Sequence, residues 1–155
     1  MHAGCREYLG IAPALRSRKL DRSTRKPMAT KLLHTCMRVD DLERTLSFYE
    51  DALGLKVASR HTLAKGMQLV FLQDSTGELV IEICRVPDGG KVHVQPDLMH
   101  VAFAVEDMST FVAGLEKKGF RLSSGPTKSA LTGSILAFLE APEGYGIELI
   151  QPAKN

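Results

Sequence analysis

The sequence predicts an α+β protein that consists of two tandem βαβββ modules. Two similar segments carry this prediction, LLHTCMRVDDL from Leu32 and LMHVAFAVEDM from Leu98, each with a histidine near its start. An offset of 66 positions superposes them, and the same offset superposes IEI at Ile81 on IEL at Ile147. In both halves a helical apolar pattern precedes three short strand-like segments, which is typical of a duplicated structural unit.

The first module begins with a strand that we place at Leu32–Val39. Asp40 or Asp41 is expected to cap the helix that follows, and Gly54 is expected to end it. The apolar side chains between them recur at helical spacing, at Leu42, Leu46, Tyr49 and Leu53. Three short strands complete the module. We place them around Lys56–Ser59, Gln68–Gln73 and Glu78–Cys84.

The second module repeats this order, with a strand at Leu98–Val105 and a helix at Met108–Lys118 that Gly119 ends. Its last three strands are predicted near Phe120–Ser123, Ser134–Leu139 and Gly146–Gln151. The two modules therefore span about residues 31–86 and 97–152 of one domain at 28–155.

Residues 1–27 differ in composition from the rest of the chain. They carry seven of the 20 basic and two of the 18 acidic residues, which leaves 13 basic and 16 acidic residues for 28–155. We expect an unstructured basic extension here, with an organelle transit peptide as the alternative. Because the remainder is net acidic, we expect no nucleic-acid partner.

The bulk composition indicates a globular protein outside membranes. Hydrophobic residues make up 44% of the 155 residues, yet no apolar run approaches the ~20 residues that span a bilayer. The three cysteines lack paired spacing, which argues against a disulfide framework. We therefore expect a cytoplasmic protein.

Four polar residues recur at matching positions of the two modules: His34, Glu82, His100 and Glu148. Since side chains alternate along a strand, His34 shares a face with Cys36 and Arg38. The helix of each module should cover the more apolar face of its sheet. The histidine and glutamate side chains are then left together on the concave faces.

These four residues point to a metal site. A single histidine in a strand is commonly a satisfied core residue, and a single glutamate commonly faces solvent. A buried carboxylate, however, needs an opposite charge or a metal, and here two carboxylates recur beside two imidazoles. Such an N2O2 set suits nickel, cobalt, zinc or manganese. Cys36 and Cys84 share these faces, and we interpret them as small apolar side chains that fill the core.

The sequence resembles glyoxalase I, lactoylglutathione lyase, of the vicinal oxygen chelate superfamily. The resemblance covers Lys31 to Gln151 and is carried by KLLHTCMRVDDLERTLSFYEDALGLKV, LVIEI, LMHVAFAV and APEGYGIELI. It implies the glyoxalase fold, with all four residues as ligands of one divalent metal, nickel or cobalt first and zinc second. It also implies that Arg38 anchors substrate and that Glu148, with Glu82 as its symmetry-related partner, is the catalytic base.

The implied reaction is methylglyoxal detoxification, in which the methylglyoxal–glutathione hemithioacetal becomes S-lactoylglutathione. The sequence differs from the family pattern at positions that recognise the thiol. The family usually has an asparagine where Val86 stands and Tyr-Gly where Leu98-Met99 stand, and only part of its glycine-rich loop is matched at 128–133. Glutathione or another thiol therefore remains open.

Each module supplies one histidine–glutamate pair. The two pairs can complete a metal site either within one chain or across a two-fold homodimer. We favour the dimer, with the His34–Glu82 pair of one chain facing the His100–Glu148 pair of the other. Two other functions remain. An epimerase of the methylmalonyl-CoA type would use the same proton abstraction, and a metal-free binding module of this fold would need neither pair.

Overall fold

The computed structural model describes residues 31–154, and from His34 onward these form one compact unit. The helices and strands are β1 (Thr35–Val39), α1 (Leu42–Leu53), β2 (Lys56–Thr62), β3 (Gln68–Gln73), β4 (Leu79–Arg85), β5 (His100–Ala104), α2 (Met108–Lys117), β6 (Ser124–Lys128), β7 (Ile135–Glu140) and β8 (Gly146–Gln151). The extension predicted at residues 1–27 lies outside the described residues.

Each module forms a four-stranded mixed sheet with one helix. The strand orders are β1-β4-β3-β2 and β5-β8-β7-β6. In each sheet the first and last strands of the module, β1 with β4 and β5 with β8, pair in parallel at one side. The other strand pairs are antiparallel. The predicted α+β fold of two βαβββ modules is confirmed.

Each helix begins after an aspartate that caps it, and for α1 this is one of the two residues that the sequence indicated. The side chain of Asp41 accepts the backbone N–H of Arg44 at 3.1 Å, and Asp107 accepts that of Thr110 at 2.8 Å. Gly54 ends α1 in the left-handed conformation with φ of 70°, which a residue without a side chain adopts at little cost.

The core lies between each helix and the face of the sheet that it covers. In β1 the side chains of Met37 and Val39 are buried, whereas Cys36 between them is exposed. The same alternation buries Ile147 and Leu149 in β8 and leaves Glu148 on the opposite face. The sheets therefore keep an open face, as the sequence predicted.

Several predicted boundaries differ from the structure, and two of them change how a segment is interpreted. β1 begins at Thr35, and the exposed Leu32 and Leu33 precede it. The strand predicted near Phe120–Ser123 is wrong, since β6 begins at Ser124. Phe120 and Leu122 pack against the core from a connecting segment, so their hydrophobicity reports burial rather than a strand.

Candidate functional site

His34 and Glu82 meet on the open face of the first sheet. β1 and β4 pair in parallel with Cys36 opposite Glu82, which sets His34 one diagonal step away on the same face. Nε2 of His34 and Oε2 of Glu82 are 3.2 Å apart. Parallel pairing of the first and last strands thus brings together two residues separated by 48 positions.

The second sheet repeats this geometry. β5 and β8 pair in parallel with Ala102 opposite Glu148, and Nε2 of His100 lies 3.1 Å from Oε2 of Glu148. Both pairs use the same imidazole nitrogen and the same relative strand register. The arrangement is therefore a property of the duplicated fold rather than a coincidence of one contact.

An aromatic ring borders each pair. Phe71 lies opposite Glu82 and meets the His34 ring edge-on at 5.5 Å between centroids. Phe138 lies opposite Glu148 and meets the His100 ring at 6.2 Å. Sequence reasoning missed both phenylalanines because they are 67 positions apart, one more than the offset that superposes the modules. Both phenylalanines nevertheless lie opposite the glutamate of their own sheet, because the hairpins that lead into β4 and β8 differ in length.

The two pairs suit a divalent cation. The glutamate side chains are only 15% and 14% exposed, and within residues 31–154 neither has a lysine or arginine partner. A carboxylate so buried is costly without a compensating positive charge. Two atoms that bind one metal ion at about 2.1 Å and at right angles lie about 3 Å apart, close to both separations.

The described chain does not bring the four predicted residues together. Residues 31–154 contain no group of three or more histidine, cysteine, aspartate or glutamate side chains placed to hold a metal. Each open face instead offers one nitrogen and one oxygen donor. Each pair by itself is thus half of the N2O2 set that the sequence predicts.

Cys36 and Cys84 lie beside the first pair and are not disulfide-bonded. The hydrogen bond that the Cys36 thiol makes to Cys84 is the main cause that raises the pKa of Cys36. Cys84 is buried, as core filling predicts, but Cys36 is exposed on the open face.

Arg38, the predicted substrate anchor, contacts the loop that follows β4. Its Nη2 donates to the carbonyl oxygen of Gly89 and, at 3.2 Å, to that of Gly90. Its Nε is buried and has no partner within the described residues. Arg38 lies on β1, the strand that follows His34, and part of its guanidinium is already hydrogen-bonded to backbone.

Glu143 joins the second module to the first, which sequence reasoning did not anticipate. Its carboxylate accepts the N–H of Asp40 at 3.2 Å, the N–H of Asp41 at 3.4 Å and the hydroxyl of Thr45 at 3.2 Å. Beside it, the hydroxyl of Tyr145 donates to the carbonyl of Arg38 at 2.9 Å. The segment PEGY thus holds the corner between β1 and α1.

Two cavities lie at different distances from the pairs. One of about 370 Å³ borders His100 and Phe138 on the open face of the second sheet. Another, of about 600 Å³, lies between α1 and the α2–β6 connection, where Phe48 and Phe120 line it. Only the first adjoins the histidine–glutamate chemistry. No helix within residues 31–154 has the length and apolar character needed to cross a membrane.

Comparisons with known proteins agree with this architecture. A family model described as the Glyoxalase/Bleomycin resistance protein/Dioxygenase superfamily matches residues 31–149. A lactoylglutathione lyase of Neisseria meningitidis is 32% identical over 126 residues, covering 78% of this chain and 90% of that protein. A probable lactoylglutathione lyase of Synechocystis is 34% identical over 129 residues, covering 80% and 97%.

Solved structures show the same similarity. The trypanothione-dependent glyoxalase I of Leishmania major superposes with a TM-score of 0.66 at 30% identity, covering 79% of this chain and 87% of that one. Glyoxalase I from Zea mays superposes with a TM-score of 0.70 at 26% identity, covering 81% of this chain and 46% of the maize chain.

Proposed function

Because the chain belongs to the Glyoxalase/Bleomycin resistance protein/Dioxygenase superfamily, we propose that it is a metal-dependent lactoylglutathione lyase. It would convert the hemithioacetal of methylglyoxal and glutathione into S-lactoylglutathione. The observation that carries the proposal is the pair of matching His–Glu contacts on the two open faces. Relatives named for this activity align over more than three quarters of the chain.

The proposed metal ligands are His34, Glu82, His100 and Glu148. When bound, a divalent cation would act as a Lewis acid that stabilises negative charge on the two adjacent oxygens of the substrate. Nickel or cobalt is our first choice, and zinc the second, because two nitrogen and two oxygen donors suit borderline ions. Neither cysteine is needed in this set.

We propose that each site is shared across a homodimer. Since one chain holds its two pairs apart, the first pair of one chain and the second pair of its partner would together supply four ligands. Exposed small side chains on the open face of β5, Ala102 and Ala104, would permit close approach of the partner's sheet. A two-fold dimer would then hold two equivalent sites.

Glu148 is the proposed general base. It would take the proton from the carbon that bears sulfur and return a proton to the neighbouring carbon, with Glu82 as its symmetry-related counterpart. A Cβ at Gly146 would lie 3.1 Å from the Cβ of His100, so glycine allows β8 to run close beside this histidine. Proton transfer by a positioned carboxylate typically contributes about 10²- to 10⁴-fold to the rate.

Arg38 is the proposed binding residue for a glutathione carboxylate. A guanidinium donates two parallel N–H bonds to a carboxylate, which fixes both position and orientation. Arg38 lies on β1, the strand that follows His34, so a thiol bound there would lead towards the metal ligands. We also propose a cytoplasmic location, because the cysteines of the described chain are not disulfide-bonded.

The test is turnover by metal-loaded protein, measured by ultraviolet absorbance of the thioester product. We expect Glu148→Gln to lower kcat by at least ~10²-fold with metal largely retained. Glu116→Gln, an exposed carboxylate on α2, is the matched control and should behave as wild type. Near-normal turnover by metal-loaded Glu148→Gln would reject this base. Wild-type protein that ignores the hemithioacetal but exchanges the α-proton of methylmalonyl-CoA would be an epimerase instead.

A further inference from the structure

The loop Val86–Lys91, which follows β4, covers Arg38. Two carbonyl oxygens of this loop, those of Gly89 and Gly90, accept hydrogen bonds from Nη2 of Arg38. Both hydrogen bonds tie the tip of the loop to β1. A backbone bond within the tip runs from the N–H of Gly89 to the carbonyl of Val86 at 3.2 Å.

The covered edge of Arg38 is the one that binds carboxylates side-on. Nε and Nη2 point their N–H groups in parallel along one edge of a guanidinium, and a carboxylate takes both. Here the loop carbonyls occupy Nη2, and Nε is buried with no acceptor. A buried donor without a partner costs about 1 to 3 kcal/mol. An incoming carboxylate would satisfy it only by displacing the carbonyls.

Gly89 makes this contact possible through its lack of a side chain. A Cβ there would lie 2.9 Å from Cζ of Arg38, which is shorter than real Cβ contacts. The backbone of Gly89 does not have a positive φ, so alanine is compatible with its conformation. Alanine at this position would therefore act mainly by pushing the guanidinium and the loop apart.

The far end of the loop is anchored separately. The carboxylate of Asp40 accepts the N–H of Val92 at 2.8 Å, and Arg85 before the loop belongs to β4. The short tip between these anchors can leave Arg38 while the sheet and the linker stay in place. Left-handed φ angles of 57° at Asp88 and 71° at Gly90 form the turn that delivers the carbonyls.

We propose that the loop Val86–Lys91 is an autoinhibitory latch, which competes with a carboxylate of the thiol substrate for the Nε–Nη2 edge of Arg38. The inference rests on the proposed function, since it takes a carboxylate-bearing thiol as the competitor. It makes Gly89 a specificity-determining position: the latch reduces affinity only for thiols whose carboxylate reaches Arg38. Thiols without a carboxylate leave it closed.

The experiment compares Gly89→Ala with wild type on two hemithioacetals of methylglyoxal, one from glutathione and one from glutathione diethyl ester. We expect the KM for the glutathione adduct to fall about five-fold in Gly89→Ala, which corresponds to about 1 kcal/mol. The KM for the ester adduct and both kcat values should stay unchanged. Gly114→Ala, a helical glycine with no atom near its Cβ, is the control for glycine replacement. An unchanged KM, or an equal change for both thiols, overturns the latch.

Hydrogen–deuterium exchange on wild-type protein tests the latch without a variant. S-methylglutathione, which cannot form the hemithioacetal, should speed exchange across residues 86–91, while its diethyl ester should not. The amide of Val92, held by Asp40, is the internal reference. Binding and turnover with no faster exchange in the loop would reject the latch alone. Absence of both S-methylglutathione binding and turnover would reject the proposed lyase together with the latch.

Discussion

Replacing Glu143 by alanine should destabilise the protein through the contact between the modules. Its carboxylate is the acceptor for the hydroxyl of Thr45, a residue only 1% exposed. Leaving that buried hydroxyl unpaired costs about 1 to 3 kcal/mol. Glu143 also places a negative charge at the N-terminus of α1, which contributes about 0.3 to 1 kcal/mol. We therefore expect Glu143→Ala to lower the free energy of unfolding by about 1 to 4 kcal/mol.

Urea unfolding followed by circular dichroism measures this change. Wild type and variants are compared at one protein concentration, because the proposed dimer would make stability depend on concentration. Glu143→Gln keeps an acceptor oxygen for Thr45 and loses the charge, so it should cost about 1 kcal/mol or less. The control Glu116→Ala removes an exposed carboxylate and should lie within about 0.5 kcal/mol of wild type.

A double-mutant cycle identifies the contact itself. Thr45→Val removes the hydroxyl, so Glu143→Ala should cost less in that background than in wild type, by about 1 kcal/mol. If the two changes are additive, or if Glu143→Ala is as stable as the control, the carboxylate does not hold the corner between β1 and α1. The stabilising role inferred from these hydrogen bonds would then be wrong.

Three further predictions follow from the site, a helix cap and the core. We expect two variants that are inactive alone, His34→Ala and His100→Ala, to regain roughly a quarter of wild-type activity when mixed. In the heterodimer of a shared-site enzyme, one of the two sites keeps all four ligands. No regain of activity would place the site within one chain. Hydrogen bonds from Thr110 and Ser109 lower the pKa of Asp107 to about 2. The stabilisation of α2 by this carboxylate is therefore present above about pH 4 and is lost as the pH falls towards 2. In acid titrations of unfolding, the stability difference between Asp107→Asn and wild type should disappear over that range. Leu46→Ala, at a core position 2% exposed, should cost about 2 to 5 kcal/mol in urea unfolding, and a cost below 1 kcal/mol would contradict its place in the core.

The elements of the fold could be predicted from short-range sequence features. Asp41 and Gly54 act on atoms within a few residues, so their capping roles are visible in the sequence alone. Strand parity likewise separates Met37 from Cys36 without knowledge of the partner strand. The offset of 66 positions then linked the two histidine–glutamate pairs. The same offset recurs because the module is duplicated, so it can be found without knowledge of any single contact.

The tertiary structure decided the contacts between residues far apart in sequence. Arg38 meets Gly89 across 51 positions, and Glu143 reaches Asp40 across 103. Phe71 and Phe138 become equivalent only through hairpins of unequal length. None of these contacts has a local signature, because each depends on how a loop folds back or how the two modules pack. The sequence determined which side chains share a face, and packing determined that one chain keeps its two His–Glu pairs apart.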